Sequence, residues 1–287
     1  PLVGSVIDNI GMGPYQWKEG LVSTGVFMAD GAELLLISSV TRAVAKTWDL
    51  TATQKGGVVS IVFVGVFLGN LISGPCSDRI GRRWPVIISF VAVGIFSILS
   101  AFSIDFWTLS ILRFFVGVSF GFGQPASLSN VLEITPTTWR TFVYCFSGYT
   151  FIAGEAYSAC IIMLDDPNMK DLDWRWLLIV GALPALTFTL LAAAFLHESP
   201  TWLASRGREE ETMEVLASMN RINGSPCARL DFITPPQQEA NKSGGFAEMM
   251  RDLRTIFGPQ LLYSTIVSCF TCFCVNMLYY GGLYAFP

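Results

Sequence analysis

Four charged residues stand where the sequence is otherwise apolar. Asp30 and Glu33 lie in Met28-Ala-Asp-Gly-Ala-Glu33, Arg113 in Leu112-Arg-Phe-Phe115, and Glu155 in Ala153-Gly-Glu-Ala156. A charge at the centre of a hydrocarbon layer costs about 2.5–3.5 kcal/mol on insertion scales, so it is retained where it faces a helix-bundle interior or a wet cavity. Asp30 and Glu33 are three apart and share one face of a helix. They read either as a proton or cation site in a transport path, or as two acids hydrogen-bonded within the bundle. Arg113 needs a partner among the acids of the first or fifth span, as an ion pair linked to conformation or as a purely structural one. Glu155 needs a partner as well. Gln124, Tyr149, Asn276, Asn70 and Asn130 are further polar groups at membrane depth, each suited to a helix-to-helix hydrogen bond or a solute contact.

Other chemistry has little support. Cys269-Thr-Phe-Cys272-Phe-Cys274 has ligand-like spacing, but the chain has one His and no second cluster, which points to membrane packing rather than a metal site. No Gly-Xaa-Ser-Xaa-Gly elbow, phosphate loop or His-Glu-Xaa-Xaa-His motif is present. The expectation is a protein that is not an enzyme and has no cofactor and no metal.

The elements that must position these groups are membrane helices. Of 287 residues, 52% are hydrophobic and 14% charged, with a mean hydropathy of +0.51, against about 25% charged in soluble domains. Apolar runs predict spans at 20–40, 57–76, 84–103, 106–131, 142–163 and 174–196, then a seventh at 258–283. The organisation is thus a segment 1–19, a six-helix bundle 20–196, a polar linker 197–257 and a last span within 258–287. Gly65 and Gly69 of span 2, and Gly117 and Gly121 of span 4, have the four-residue spacing that lets helices approach closely.

Lys18, Arg79, Arg82, Arg83, Arg140 and the basic residues of the linker fall on one side of this layout. The positive-inside rule makes that side cytoplasmic, with the amino terminus inside. A net charge of −4 offers no field for nucleic acid. In the linker, Ser199-Pro200 is a helix start. After Gly207, a helix from Arg208 is predicted to place Met213, Leu216 and Met219 or Ile222 on one side, against the ends of the spans, until Asn223-Gly224-Ser225-Pro226 stops it.

The turn between spans 2 and 3 reads Gly74-Pro-Cys-Ser-Asp78-Arg79-Ile-Gly81-Arg82-Arg83. It resembles the signature loop of the major facilitator superfamily. Arg113 with Gly117 and Gly121 resembles the family's fourth-span motif, and Glu133-Ile-Thr-Pro136 with Arg140 its acid-proline-arginine loop. Glu198-Ser199-Pro200 through Arg206-Gly207-Arg208 is similar to the sugar and organic-ion porter motif after span 6. Gln16-Trp17-Lys18, Met28 to Glu33, Gly154-Glu155, Asp173-Trp174-Arg175-Trp176 and Tyr279-Tyr280-Gly281 resemble the SVOP-like branch, beside the organic-ion transporters.

The resemblance implies an all-α polytopic membrane protein with the major facilitator fold. This chain would supply the amino-terminal six-helix half, the cytoplasmic linker and the first helix of the second half, with five further spans outside the sequence. It also implies that Asp78, Arg79, Arg82, Arg83, Glu133, Arg140, Glu198 and Arg208 form cytoplasmic salt bridges around Gly74 and Gly81 that break as the halves rock. Asp30, Glu33, Arg113 and Glu155 would line or adjoin the central cavity. Acids in span 1, and Thr201 where sugar porters carry Arg, depart from the hexose pattern. The functional expectation is a transporter of a small organic ion or polar solute, proton-coupled or gradient-driven, working in the lipid bilayer of a plasma or vesicle membrane. The alternative is a non-transporting SVOP-like vesicle protein.

Overall fold

A computed structural model describes residues 2–224, 230–233, 250–251 and 254–285. The chain divides into two compact units, Pro1–Gln238 and Glu239–Pro287. In the first, α1 (Val3–Ile10) leads into α2 (Pro14–Trp48), α3 (Ala52–Ile80), α4 (Arg83–Ala101) and α5 (Phe106–Ile134), and a 3-10 turn (Thr137–Trp139) into α6 (Arg140–Asp165). Then follow α7 (Trp174–Gly181), α8 (Leu183–Phe195), α9 (Pro200–Ser205) and α10 (Glu209–Asn223). The second unit holds α11 (Leu262–Ala285).

Local sequence sets these boundaries. Thr51 accepts from the Gln54 N–H and Asp105 from the Thr108 N–H, occupying donors orphaned at the starts of α3 and α5. Asp173 caps α7 and Ser199 caps α9 in the same way. Gly81 and Gly224, at φ +100° and +65°, end α3 and α10 in conformations that a side chain would oppose.

Within the first unit α2 packs against α5, α6, α7 and α8, while α5 also holds α3 and α4. Glycine permits the closest contacts. A Cβ on Gly65 or Gly69 would strike the Phe114 or Val118 carbonyl oxygen, and one on Gly117 or Gly121 those of Val62 and Val66, so α3 and α5 touch through both backbones. Gly31 and Gly154 make a second such contact, with Phe151 and Met28, between α2 and α6. Ile72, Ile88, Ile95, Phe67 and Ile111 remain exposed on α3, α4 and α5, an apolar exterior suited to lipid.

Six helices among the described residues are long and apolar enough to cross a membrane. The fifth predicted span, α6, is a helix of 26 residues but is not among them. Tyr144, Ser147, Tyr149, Thr150, Glu155, Tyr157 and Ser158 dilute its hydropathy, and Ser158 and Thr150 spend their hydroxyls on the α2 carbonyls of Ala32 and Thr24.

The sixth span is broken at Ala182 into α7 and α8. Pro184 has no N–H to give the Val180 carbonyl, and the Tyr157 hydroxyl donates to that oxygen at 2.7 Å.

The leading segment also differs from its predicted form. α2 begins at Pro14 and runs for 35 residues, about 52 Å at helical rise, well beyond the ~30 Å of a hydrocarbon core. α1 precedes it and buries Val3, Val6, Ile7 and Ile10 with Ala204 of α9 and Leu216 and Met219 of α10. The inner face of α10 is therefore Thr212, Leu216 and Met219, while Met213 and Ile222 are exposed, a correction to the predicted stripe. Its docking partners include α1, which lies in the leading segment 1–19. Ser225 and Pro226 of the predicted stop lie outside the described residues.

Candidate functional site

The sequence-predicted charged residues of the first unit gather mainly in two clusters among the described residues, one among the helices and one at the end where α1 packs. In the inner cluster, α2 presents Asp30 and Glu33 one turn apart toward α4 and α5. Arg113 Nη1 donates to Glu33 Oε2 at 2.5 Å, and Arg113 Nε to the Ser100 hydroxyl at 3.2 Å. Ser97 donates to the other Glu33 oxygen at 2.5 Å. The side chains of Arg113 and Glu33 are 1% and 4% exposed, so the pair has almost no contact with solvent. Arg113 is the eighth residue of α5, which puts the pair roughly 10 Å along that helix from its start.

Asp30 behaves differently. Gln124 of α5 donates from Nε2 to Asp30 Oδ2 at 2.6 Å. Both side chains line an open cavity of about 360 Å³, with Phe27, Tyr144, Cys145 and Phe151 among the other walls. Glu155 is half-buried on α6, near enough to Asp30 for the two charges to interact. The structure thus brings Asp30 and Gln124 together at a cavity and sets Glu33 with Arg113 behind them in a closed pair.

Tyr149 is not part of this arrangement: it is exposed on α6, and Tyr144 and Cys145, on a neighbouring turn, face the cavity instead. Helical phase around Ser147 and Gly148, which also line it, was the available signal. Asn276 lies on α11 in the second unit, where its amide donates to the Cys272 carbonyl at 2.7 Å.

The second cluster gathers around the α3–α4 turn. Glu198 Oε1 accepts from the backbone N–H of Arg82 at 2.6 Å, and both its oxygens accept from that of Arg83. Glu198 also fills the space that a Cβ on Gly81 would need, so the turn requires glycine by conformation and by packing. The Arg82 guanidinium reaches Asp78 at 2.7 Å and Glu133 at 3.2 Å. Burial works against its charge, but the Glu133 and Asp78 carboxylates outweigh that and hold its pKa above the ordinary arginine value. Ser199 closes the ring by donating to the other Glu133 oxygen. Trp202 Nε1 and Arg206 both donate to the Asp78 carbonyl at the end of α3, favourable partners for a helix C-terminus.

Arg140 and Arg208, expected in the same network, make other bonds. Arg140 donates to the Thr135 carbonyl, and Arg208 pairs with Glu211 one turn on. Arg208 sits at the start of α10, where an acidic first turn of Glu209, Glu210 and Glu211 is nearer than the Asp78 turn. Arg83 donates to the Ala193 carbonyl of α8, and Arg79 is exposed. A Cβ on Gly74 would meet nothing within 4 Å, so this glycine does not owe its place to a close contact.

A further buried acid, Glu19, is absent from the sequence-predicted site. Glu19, 1% exposed, accepts from His197 Nδ1 at 2.6 Å and from the His197 backbone N–H at 3.1 Å, with Lys18 at 3.5 Å. It ties α2 to the α8–α9 turn. The signal available was its place in the polar lead of the first span opposite the chain's one histidine.

Comparison with known proteins bears on this arrangement. Residues 20–283 match the family described as sugar (and other) transporter. Over 280 residues the chain is 28% identical to the synaptic vesicle 2-related protein of Xenopus laevis, an alignment covering 98% of this chain and 48% of that protein. It is 35% identical over 198 residues to organic cation/carnitine transporter 7 of Arabidopsis thaliana, covering 69% of this chain and 38% of that protein. The chain therefore spans about half the length of the relatives it matches, or less. Among solved structures it superimposes on the proton:xylose symporter XylE with a TM-score of 0.65 at 23% identity, over 73% of this chain and 51% of that one. XylE comes from E. coli and its structure was solved with 6-bromo-6-deoxy-D-glucose bound. At that identity the likeness speaks to the fold.

Proposed function

This chain belongs to the sugar (and other) transporter family of the major facilitator superfamily, and on that premise we propose that it moves a small organic ion or polar solute by alternating access. The observation that carries the reading is the Asp30–Gln124 pair on an open cavity formed by α2, α5 and α6, backed by the closed Glu33–Arg113 pair. A solute site at the inner face of one half is what alternating access needs. Asp30 and Glu33 are the coupling groups, with Arg113 as partner. A carboxylate that is wet in one state and dry in the other has a different proton affinity in each, which links protonation to the conformational cycle.

The Arg82 cluster is the gate. It joins the α3–α4 turn to the end of α5 and the α8–α9 turn, so motion of any one of them stretches hydrogen bonds to Glu198 or Glu133. This end is cytoplasmic, since Lys18, Arg79, Arg82, Arg83 and Arg140 gather there. The names of the relatives, an organic cation/carnitine transporter and a proton:xylose symporter, support solute movement and are compatible with proton coupling.

The test is uptake by the full-length polypeptide in liposomes, offered organic cations, carboxylates and sugars with and without an imposed pH gradient. Saturable, gradient-stimulated uptake is expected, and Asp30→Asn with Glu33→Gln should remove the pH response. An unchanged pH response in that variant would sink the coupling assignment. Absence of any flux from a correctly folded protein would favour a non-transporting vesicle protein, the reading that the name of the synaptic vesicle 2-related relative leaves open.

A further inference from the structure

The cavity carries more information in the atom that its hydrogen bonds leave over. Asp30 is 6% exposed, and while Oδ2 accepts from Gln124, the buried Oδ1 has no hydrogen-bond partner. A buried carboxylate oxygen left unmatched is costly, and a ligand that supplies its partner recovers that cost. What lies around it decides which ligand. Phe27, Tyr144 and Phe151 line the cavity, and among the described residues no Lys, Arg or His does. Among the described residues the base at this depth is Arg113, which does not line the cavity: its Nη1 and Nε bond Glu33 and Ser100, and its Nη2, though without a partner, is buried away from the cavity wall, while Glu33 and Glu155 act on Asp30 with the same sign of charge. Three acids thus stand against one base.

An anionic solute would meet this excess with repulsion and no guanidinium to hold it. A sugar would find one carboxylate and one amide among aromatic walls. An ammonium group satisfies both features together, since it neutralises the carboxylate and is attracted to aromatic ring faces. The volume of about 360 Å³ is at the small end of ligand sites, room for an ammonium head with a short substituent.

We propose that this cavity receives the ammonium group of a small organic cation, with Asp30 as its counter-ion, Phe27, Tyr144 and Phe151 as its aromatic wall, and Gln124 positioning the carboxylate. The inference deepens the transporter reading and rests on it for the claim that the bound cation is then carried.

Cys145, exposed on the cavity wall, offers a readout that needs no transport. In the full-length polypeptide, keeping Cys145 and replacing every other cysteine by Ser, labelling rates, each divided by the reagent's rate with a small free thiol in solution, are compared for a trimethylammonium methanethiosulfonate and its sulfonate counterpart. The cationic reagent should react faster by about tenfold, the ratio that ~1.4 kcal/mol of local attraction produces. Choline and tetraethylammonium should slow it, while benzoate and glucose should not.

Asp30→Asn keeps an oxygen for Gln124 and should bring the two rates together, and Asp30→Glu should restore the preference. Tyr144→Leu, at an exposed position where folding is not at stake, should weaken choline protection. Equal rates for the two reagents in the unmutated cavity, or protection by benzoate or glucose but not by choline, would overturn the proposal. If choline protects Cys145 but no solute is taken up, the cation site stands and the transporter reading fails. If a carboxylate or sugar is taken up without charge preference at Cys145, the transporter reading stands and the cation site fails.

Discussion

Glu33–Arg113 and Glu133–Arg82 are both carboxylate–guanidinium pairs that join elements far apart in sequence, at 2.5 and 3.2 Å. Their surroundings are opposite. The first has side chains 1% and 4% exposed and only two serine hydroxyls for further support. The second, at 15% and 21%, sits in a web of backbone N–H groups, Asp78, Glu198 and Ser199. Desolvation makes a buried pair close to neutral in net stability but very sensitive to the loss of one member, because the survivor is then a bare buried charge. A turn cluster loses one contact and lets water or a neighbour take its place. The same pairing can therefore act as a lock in one place and as a joint in the other.

The largest expected effect tests the lock. Arg113→Leu should destabilise the protein by about 3–5 kcal/mol, since it leaves the Glu33 carboxyl buried without its guanidinium partner and with Ser97 beside it. Thermal midpoints in detergent would report this. The double variant Arg113→Leu with Glu33→Leu should regain most of the loss, and a double as unstable as the single would show that packing, not the bare charge, is responsible.

Next comes the hinge of the joint. Gly81→Ala forces a Cβ into a left-handed backbone and onto the Glu198 carboxylate, for about 1–3 kcal/mol. Because Glu198 holds the N–H groups of Arg82 and Arg83, a gate should also show a change in the balance between its states, read as altered protease access to the α3–α4 turn. Asp78→Asn should cost at most about 1 kcal/mol, as Asp78 is 71% exposed and its Arg82 contact is screened by water. An effect on Asp78 as large as on Arg113 would erase the distinction between the two clusters.

Much of this was readable in the sequence because each signal was local. Charges inside apolar runs announced Asp30, Glu33, Arg113 and Glu155 as groups needing partners, and glycine spacing announced close helix approach but not that α3 and α5 are the pair, since these follow from what hydrocarbon and close packing forbid. Ser199-Pro200 announced α9 by capping chemistry alone. What failed depends on tertiary partners. Whether Arg113 would meet Glu33 or Glu155 turns on helix rotation, and rotation also separates Tyr144 from Tyr149. The inner face of α10 could not be chosen without α1, whose eight residues look too short to matter until Ala204, Leu216 and Met219 are beside them. Arg208 was given to the Asp78 turn by motif resemblance, but an acid three residues away wins on distance.

The smallest effect belongs to the opposite end of the helices, where a turn holds its charge chiefly with backbone N–H groups and provides a control for the Arg82 cluster. Asp166 accepts from the backbone N–H groups of Asp171, Asn168 and Lys170, and those bonds hold its carboxyl below the usual carboxylate range. A group depressed in the folded state contributes stability that is complete above its unfolded pKa of about 3.9 and lost as pH falls through the folded value. Asp166→Asn should therefore lower the thermal midpoint slightly at neutral pH, and the curves of variant and parent should converge below about pH 4. Asp78→Asn should shift with salt instead, because its partner is a charged guanidinium rather than neutral backbone amides. If Asp166→Asn were the more salt-sensitive of the two, the turns at the two ends would be doing the same thing, and the gate could not be assigned to one of them by its charges.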